Sequence, residues 1–464
     1  MSAPIRDYSL TGPESQRAAE AGLVGADWYR SPIAPDTLTA LTQRTNARAA
    51  IDTLLWLGLL VGAGVLAWRS LGSWWAVPAL VVYGALYGGA ADARWHECGH
   101  GTAFRSGWLN DLVYYPASFM LLREPTVWRW SHVRHHSDTI IVGRDAEIVF
   151  PRPLNLRTWA VNLFGLLGVP ALIRRIVRHA RGRLDDDVAG YVPTDLHRRV
   201  VWEARAFALA IGGVVVGCVA AGTAVPLLFV LGPTFFGAWL MSFFGTTQHA
   251  GLAENVLDHR RSTRTVYMNP IFRFLYLNMN YHVEHHMFPS VPYRSLPALH
   301  AEIRDDLPPA CSSTWAAYRE ILVAARGQAV DPAFELERII PESHATEAEA
   351  VQGVVESDGW IRVCDAAELR PGALREVEVD GVPYVVCRSA SGVVAALDGI
   401  CTHSRRVRLA EGAVVGEELE CAKHNGRFAL ADGSPTRSPV TQALRQHSVR
   451  DDDGVIRIRL ADQP

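Results

Sequence analysis

The 464-residue chain is poor in several features that would place it in simpler classes. Its seven cysteines, at 98, 218, 311, 364, 387, 401 and 421, are odd in number and widely spaced. That excludes a disulfide-stapled scaffold and fits a reducing compartment. The opening stretch MSAPIRDYSLTGPESQRAAE has no apolar core, so a secretory signal is not expected there and this segment is expected to stay in the cytoplasm. No Gly-rich dinucleotide loop is present, and no repeat beyond the histidine clusters described below. Lysine is nearly absent, with Lys423 alone against 44 arginines.

Hydrophobic residues are abundant, at 49% of the chain. Four runs are long enough to cross a bilayer: residues 51–68, 74–90, 206–222 and 225–245. A helical span needs about 17–25 apolar residues, and the few polar residues between neighbouring runs make two helical hairpins. Trp68, Trp74 and Trp75 cluster at the first hairpin turn, where amphipathic rings favour the lipid–water boundary. Buried helices of a large soluble protein are the alternative.

With four spans, the N-terminus, residues 91–205 and everything after 246 share one side. The 91–205 segment is Arg-rich, whereas the two hairpin turns hold only Arg69, so that side is expected to be cytoplasmic. Residues 331–360 hold eight acids and one arginine, and 361–464 fifteen acids and fourteen bases; with a formal charge of −3, the first 330 residues carry about +5. A basic excess on the apolar part suits anionic lipid. Residues 158–173, followed by Arg174, Arg175, Arg178, Arg181 and Arg183, read as an interfacial helix, with a fifth span as the alternative. Residues 341–359 are acidic and read as a flexible linker. Beyond Trp360, short Val-rich runs separated by Gly, Asp and Pro turns predict a small β domain. The expected divisions are a cytoplasmic segment 1–48, a membrane domain 49–325, a linker 326–359 and a β domain 360–464.

Three histidine clusters lie on the inferred cytoplasmic side. HECGH places His96 and His100 at i and i+4 on one helix face, and HVRHH (His132, His135, His136) and HVEHH (His282, His285, His286) repeat one spacing. Eight protonated imidazoles in one place would repel each other, and unpaired burial is costly; neutral imidazoles binding metal remove both difficulties. Eight ligands exceed one tetrahedral zinc and suit two metals. Asp92, Glu97, Asp138 and Glu284 lie in or beside the clusters and are candidates to accept the far imidazole N–H groups, with solvation of a helix face as the alternative. Cys98 points away from the two histidines of its cluster and reads as packing.

This pattern resembles the membrane fatty-acid desaturase and hydroxylase superfamily over about residues 50–310. The resemblance implies four transmembrane helices, a cytoplasmic helical cap, and two non-haem irons that activate O2. A ninth ligand is usual after the fourth span, which falls on His249 in GTTQHAG, with His259 in NVLDHRR as competitor. The other histidines (179, 197, 300, 344 and 447) are assigned to surfaces or packing. The run NVLDHRRSTRTVYMNP to NMNYHVEHHMFPSVPYRSLP is similar to the rhizopine-oxygenase subgroup.

Near the C-terminus, Cys401-x-His403 and Cys421-x2-His424, seventeen residues apart, resemble a Rieske [2Fe–2S] domain, which implies two Cys on one iron and two His on the other. Structural zinc, the rival, usually begins C-x2–4-C, which neither pair does. The loops CTHSRR and CAKHNG lack the extra cysteines of high-potential Rieske proteins, which implies a low-potential donor to an oxygenase, although Asn425 replaces the glycine usual after the last ligand.

Together these features lead to an O2-dependent membrane di-iron oxidoreductase with its own electron donor on a flexible tether, which sets an effective donor concentration on the mM scale. A separate NAD(P)H-dependent ferredoxin reductase is the expected partner alongside membrane lipid, and nothing points to nucleic acid. The expected substrate is a fatty acyl or lipid C–H bond. Alternatives are hydroxylation or O-demethylation of a polar small molecule, and a non-catalytic membrane electron-transfer protein.

Overall fold

The computed structural model describes residues 6–342 and 351–461. By internal contacts it divides into two units, residues 1–26, 45–283 and 307–340, and residues 27–44, 284–306 and 341–464.

The first unit is helical. Among the described residues, four helical stretches are long and apolar enough to cross a membrane: Asn46–Ser70, Ala76–His100, Thr194–Ala221 and Val225–His249. The first and third leave large apolar side chains uncovered, among them Leu54, Leu66, Leu209 and Val219, which in water would be a liability. The second and fourth run past their apolar stretches into the histidine region. They approach closely where side chains are absent, because a Cβ on Gly237 would fall 2.0 Å from the Gly84 carbonyl oxygen. Directly after this contact the second stretch takes one π-helical turn, Ala85–Gly89, which resets the facing of the helix Ala90–His100. Gly101, with φ +68°, ends that helix immediately after His100.

The expected interfacial helix over 158–173 is replaced by two, Leu156–Asn162 and Gly168–Ala180, parted by a turn in which Gly165 takes φ +64°. In the second, Val169, Ile176 and His179 are buried on one face while Arg174 and Arg178 are exposed.

The second unit contains the β domain. A hairpin joins Leu374–Val379 to Val382–Arg388 through Asp380 and Gly381, both at positive φ, and a second joins Gln446–Asp452 to Val455–Arg459 through Asp453 and Gly454. Asp-Gly is the pair that such two-residue turns require. These strands belong to a seven-stranded sheet. One of its edge strands, Val351–Gln352, pairs in parallel with Val377 and Glu378. A four-stranded antiparallel sheet follows: Ala413–Val415, Glu418–Glu420, Arg427–Ala429 and Pro435–Arg437.

Candidate metal centre and electron-transfer site

Within the first unit, the helices Ala90–His100 and Pro125–Ser137, the end of Ala238–His249 and the start of His282–Met287 bring box histidines together. One ligand nitrogen each from His96, His100, His132 and His136 lie within 4.8 Å of one another, and the same holds for His135, His249 and His282. The HVRHH helix therefore feeds two groups, His132 and His136 at i and i+4 serving one and His135 the other. His249 belongs to the second group, and among the described residues the competitor His259 belongs to neither.

The ring nitrogens face each other directly. His100 Nε2 lies 3.0 Å from His132 Nε2, His136 Nε2 3.2 Å from His132 Nε2, and His282 Nε2 3.2 Å from His249 Nε2. Several neutral imidazoles converging on one point satisfy few of their lone pairs with one another, whereas a divalent metal accepts them all. Two such all-nitrogen groups fit two metal ions. His285 and His286 lie on the helix His282–Met287, three and four residues beyond His282, with ring centroids 5.7 Å apart.

Behind the rings stand two carboxylates that sequence reasoning missed. His132 Nδ1 lies 3.0 Å from Glu147, and His135 Nδ1 lies 2.8 Å from Asp145. Asp145 also accepts from the Ile140 N–H at 2.8 Å and the Glu147 N–H at 2.7 Å, while Ser131 donates to Glu147 at 2.6 Å. Burial pushes the Glu147 carboxyl up, but His132 outweighs it and holds it down at about 2. Burial likewise favours neutral His135, and Asp145 reverses this and raises it.

The four carboxylates proposed from sequence make the following contacts. Asp92 pairs with Arg123 at 2.6 Å and Asp138 with Arg144 at 3.2 Å. Glu97 accepts from Thr102 at 2.6 Å, and Glu284 forms a short contact with His300 Nδ1. Of the histidines read as packing or surface, His179 is fully buried and pairs with Glu124 at 2.9 Å, while His344 lies outside the described residues.

A cavity of about 260 Å³ reaches His96, His132, His135, His249 and His282. A larger one of about 670 Å³ shares the wall residues Arg123, Trp128, Asn162, Met241 and Ser242 with it.

In the second unit, Cys401 and His403 occupy the loop after the strand Val394–Asp398, and Cys421 and His424 the loop between Glu418–Glu420 and Arg427–Ala429. Both thiols are buried in one apolar core with Phe428 and Leu444. A hydrogen bond from Cys421 lowers the Cys401 thiol to about 7 while the Cys421 thiol is pushed up. The two imidazoles face each other with centroids 5.0 Å apart, His424 buried and His403 exposed. A thiol pair and an imidazole pair carried on the same two loops fit a [2Fe–2S] cluster with an exposed His edge. Asn425 takes φ +54°, a conformation asparagine tolerates better than most residues, in the place where the resemblance expects glycine.

The fatty acid desaturase family pattern matches residues 72–318, more than half of the chain. The chain belongs to the fatty acid desaturase family. The Rieske [2Fe–2S] domain pattern matches residues 359–448. Ferredoxin CarAc of Metapseudomonas resinovorans is 35% identical over 21% of this chain and 90% of its own length. The Delta(12)-acyl-lipid-desaturase of Punica granatum is 37% identical over 17% of this chain, and Cholesterol 7-desaturase nvd 1 of Ciona intestinalis 33% over 19%. This chain spans only 21% and 18% of those two proteins. Among solved structures, the ferredoxin of carbazole 1,9a-dioxygenase from Nocardioides aromaticivorans IC177 is 30% identical over 22% of this chain and 98% of its own, with a TM-score of 0.21. This family member is thus an oxygen-dependent oxidoreductase with Rieske electron transfer, supplied by a reductase partner.

Proposed function

We propose that this desaturase-family protein spans the membrane and oxidises a C–H bond of a fatty acyl or lipid substrate at a di-iron centre, drawing electrons from its own Rieske domain. The observation that carries this reading is the 670 Å³ cavity beside the histidine cavity, with five wall residues common to both. Ligand sites run from about 300 to 1,000 Å³, so a long apolar chain fits. Its walls include Met120, Leu121, Leu172 and Met241, with Arg174, Arg175 and Arg178 also lining it. Those arginines supply a counter-charge for an anionic head group. The acyl-lipid and cholesterol substrates named for the relatives are of the same apolar kind.

His96, His100, His132 and His136 would hold one iron, and His135, His249 and His282 the other; the HVEHH motif adds His285 and His286 to the proposed ligands. Bound there, iron supplies the O2 activation that an unactivated C–H bond requires. Asp145 and Glu147 fix the orientation of His135 and His132 and leave the opposite nitrogens as donors. Each O2 consumed takes two electrons and two protons, so the one-electron cluster is reduced twice per turnover by a separate NAD(P)H-dependent reductase. The exposed His403 is the edge such a partner meets. The Arg-rich side of the spans faces the cytoplasm in this reading.

A polar substrate is the second reading, favoured by Asp92, Arg152, Gln248 and Glu254 on the wall of the histidine cavity. Expression with a compatible reductase, followed by comparison of lipids and polar metabolites against His135→Ala, separates the two. A new double bond or hydroxyl in acyl lipids supports the first reading. A hydroxylated or demethylated polar metabolite supports the second, and no difference contradicts both.

A further inference from the structure

The second unit carries all four cluster ligands and also, in its 284–306 segment, His285 and His286. Its third part, residues 27–44, bonds to both. Arg44 reaches Glu420 with two nitrogens, at 2.8 and 2.5 Å, and donates to the Ser290 carbonyl at 2.9 Å. Glu420 immediately precedes Cys421, and Ser290 lies four residues after His286. The side chains of this pair are 1% and 0% exposed. Glu420 also accepts from Arg427 at 2.7 Å and Asn425 at 3.0 Å, the latter lying within the ligand loop.

A second bridge repeats the arrangement. Arg30 stacks over Phe288 at 4.4 Å and pairs with Glu411 at 2.7 Å. Around it, Tyr29 and Ser31 both donate to Asp306, and Arg294 donates to the Gln43 carbonyl at 3.2 Å. The planar guanidinium suits this use, because one fork binds a carboxylate through two bonds while a further N–H remains for a carbonyl. A fully buried ion pair adds little net stability over an apolar replacement, whereas removing one partner leaves an uncompensated buried charge.

We propose that Arg44 is a positioning residue for electron transfer: within this unit it ties the loop of Cys421 and His424 to the segment of His285 and His286, so that these two ligand-bearing segments keep a fixed spacing. This rests on the functional reading above. The chemistry is two one-electron transfers per O2, with NAD(P)H as the external two-electron source.

Full-length Arg44→Gln tests it through the cluster potential, hydrogen–deuterium exchange over 284–306, and O2-driven reoxidation of the reduced cluster. Loss of a nearby positive charge makes the potential more negative, which increases the driving force for transfer. A purely electrostatic role therefore predicts faster reoxidation. The positioning role predicts reoxidation at least tenfold slower despite the lower potential, with exchange over 284–306 at least tenfold faster. Unchanged or faster reoxidation overturns it. Should this variant lose its cluster, Arg44→Lys, which keeps the charge and loses the fork, is expected to be at least threefold slower; an unchanged rate overturns the proposal. Wild-type protein whose reoxidation is insensitive to removal of the histidine-bound iron overturns the functional reading itself, whereas a sensitive wild type matched by Arg44→Gln overturns only the role of Arg44.

Discussion

His135 Nδ1 lies 2.8 Å from Asp145 Oδ2, and both side chains are buried. The bond fixes which nitrogen of His135 is left for a metal. Replacing such a partner typically costs ten- to a hundred-fold in metal affinity. Asp145→Asn is therefore expected to retain its Rieske signal while the non-cluster iron becomes removable at about ten- to a hundred-fold lower chelator concentration, read by iron analysis after dialysis.

Cys421→Ala separates the two centres. Removing one of two thiolate ligands abolishes the cluster and its EPR signal. Iron at the histidines is expected to remain, and turnover driven by NAD(P)H and reductase to fall below detection. Turnover at the wild-type rate would show that electrons bypass the fused domain.

Gly237 tests the helix contact that leads into the π turn. A Cβ there meets the Gly84 carbonyl oxygen at 2.0 Å and the Pro233 carbonyl oxygen at 2.6 Å, both backbone and unable to move aside cheaply. Gly237→Ala is expected to destabilise by about 1–3 kcal/mol or more, as overpacking does. Thermal unfolding in detergent, followed by tryptophan fluorescence, measures the loss.

In the β domain, the hydrogen bond from His447 to Asp398, 3.1 Å long, lowers the Asp398 carboxyl below the ordinary aspartate value. A carboxyl lowered on folding stabilises the fold above its unfolded pKa, and that contribution is lost as pH falls through the folded value. Lowering the pH from about 5 to 3 should thus reduce the unfolding midpoint of the β domain more in the wild type than in Asp398→Asn, as followed by cluster absorbance.

How legible the molecule was depends on the range of each signal. The histidine boxes, the Rieske pairs and the short Val-rich strands with their Gly, Asp and Pro turns are local patterns, each within a few residues or one helical turn, which is why they can be read from sequence. Asp145 and Glu147 carry no such mark: they lie ten and fifteen residues beyond their histidines on an irregular loop, and only the fold turns them back. The nearer acids Asp92 and Asp138 looked better placed, but arginines from elsewhere occupy them. Arg44 was equally hidden, since its partner Glu420 is 376 residues away. The break in the 158–173 helix at Gly165 escaped because that stretch is apolar throughout, and apolarity alone does not show where a helix turns.

In the proposed function the fused cluster feeds the histidine site. The most direct measurement is rapid-freeze EPR of the Rieske signal after the fully reduced protein meets O2, in wild type and in His135→Ala. The signal is expected to vanish quickly in the wild type and to decay at least a hundred-fold more slowly in the variant. Equal decay in both would mean that the cluster reacts with O2 independently of the histidines, and the account would fail.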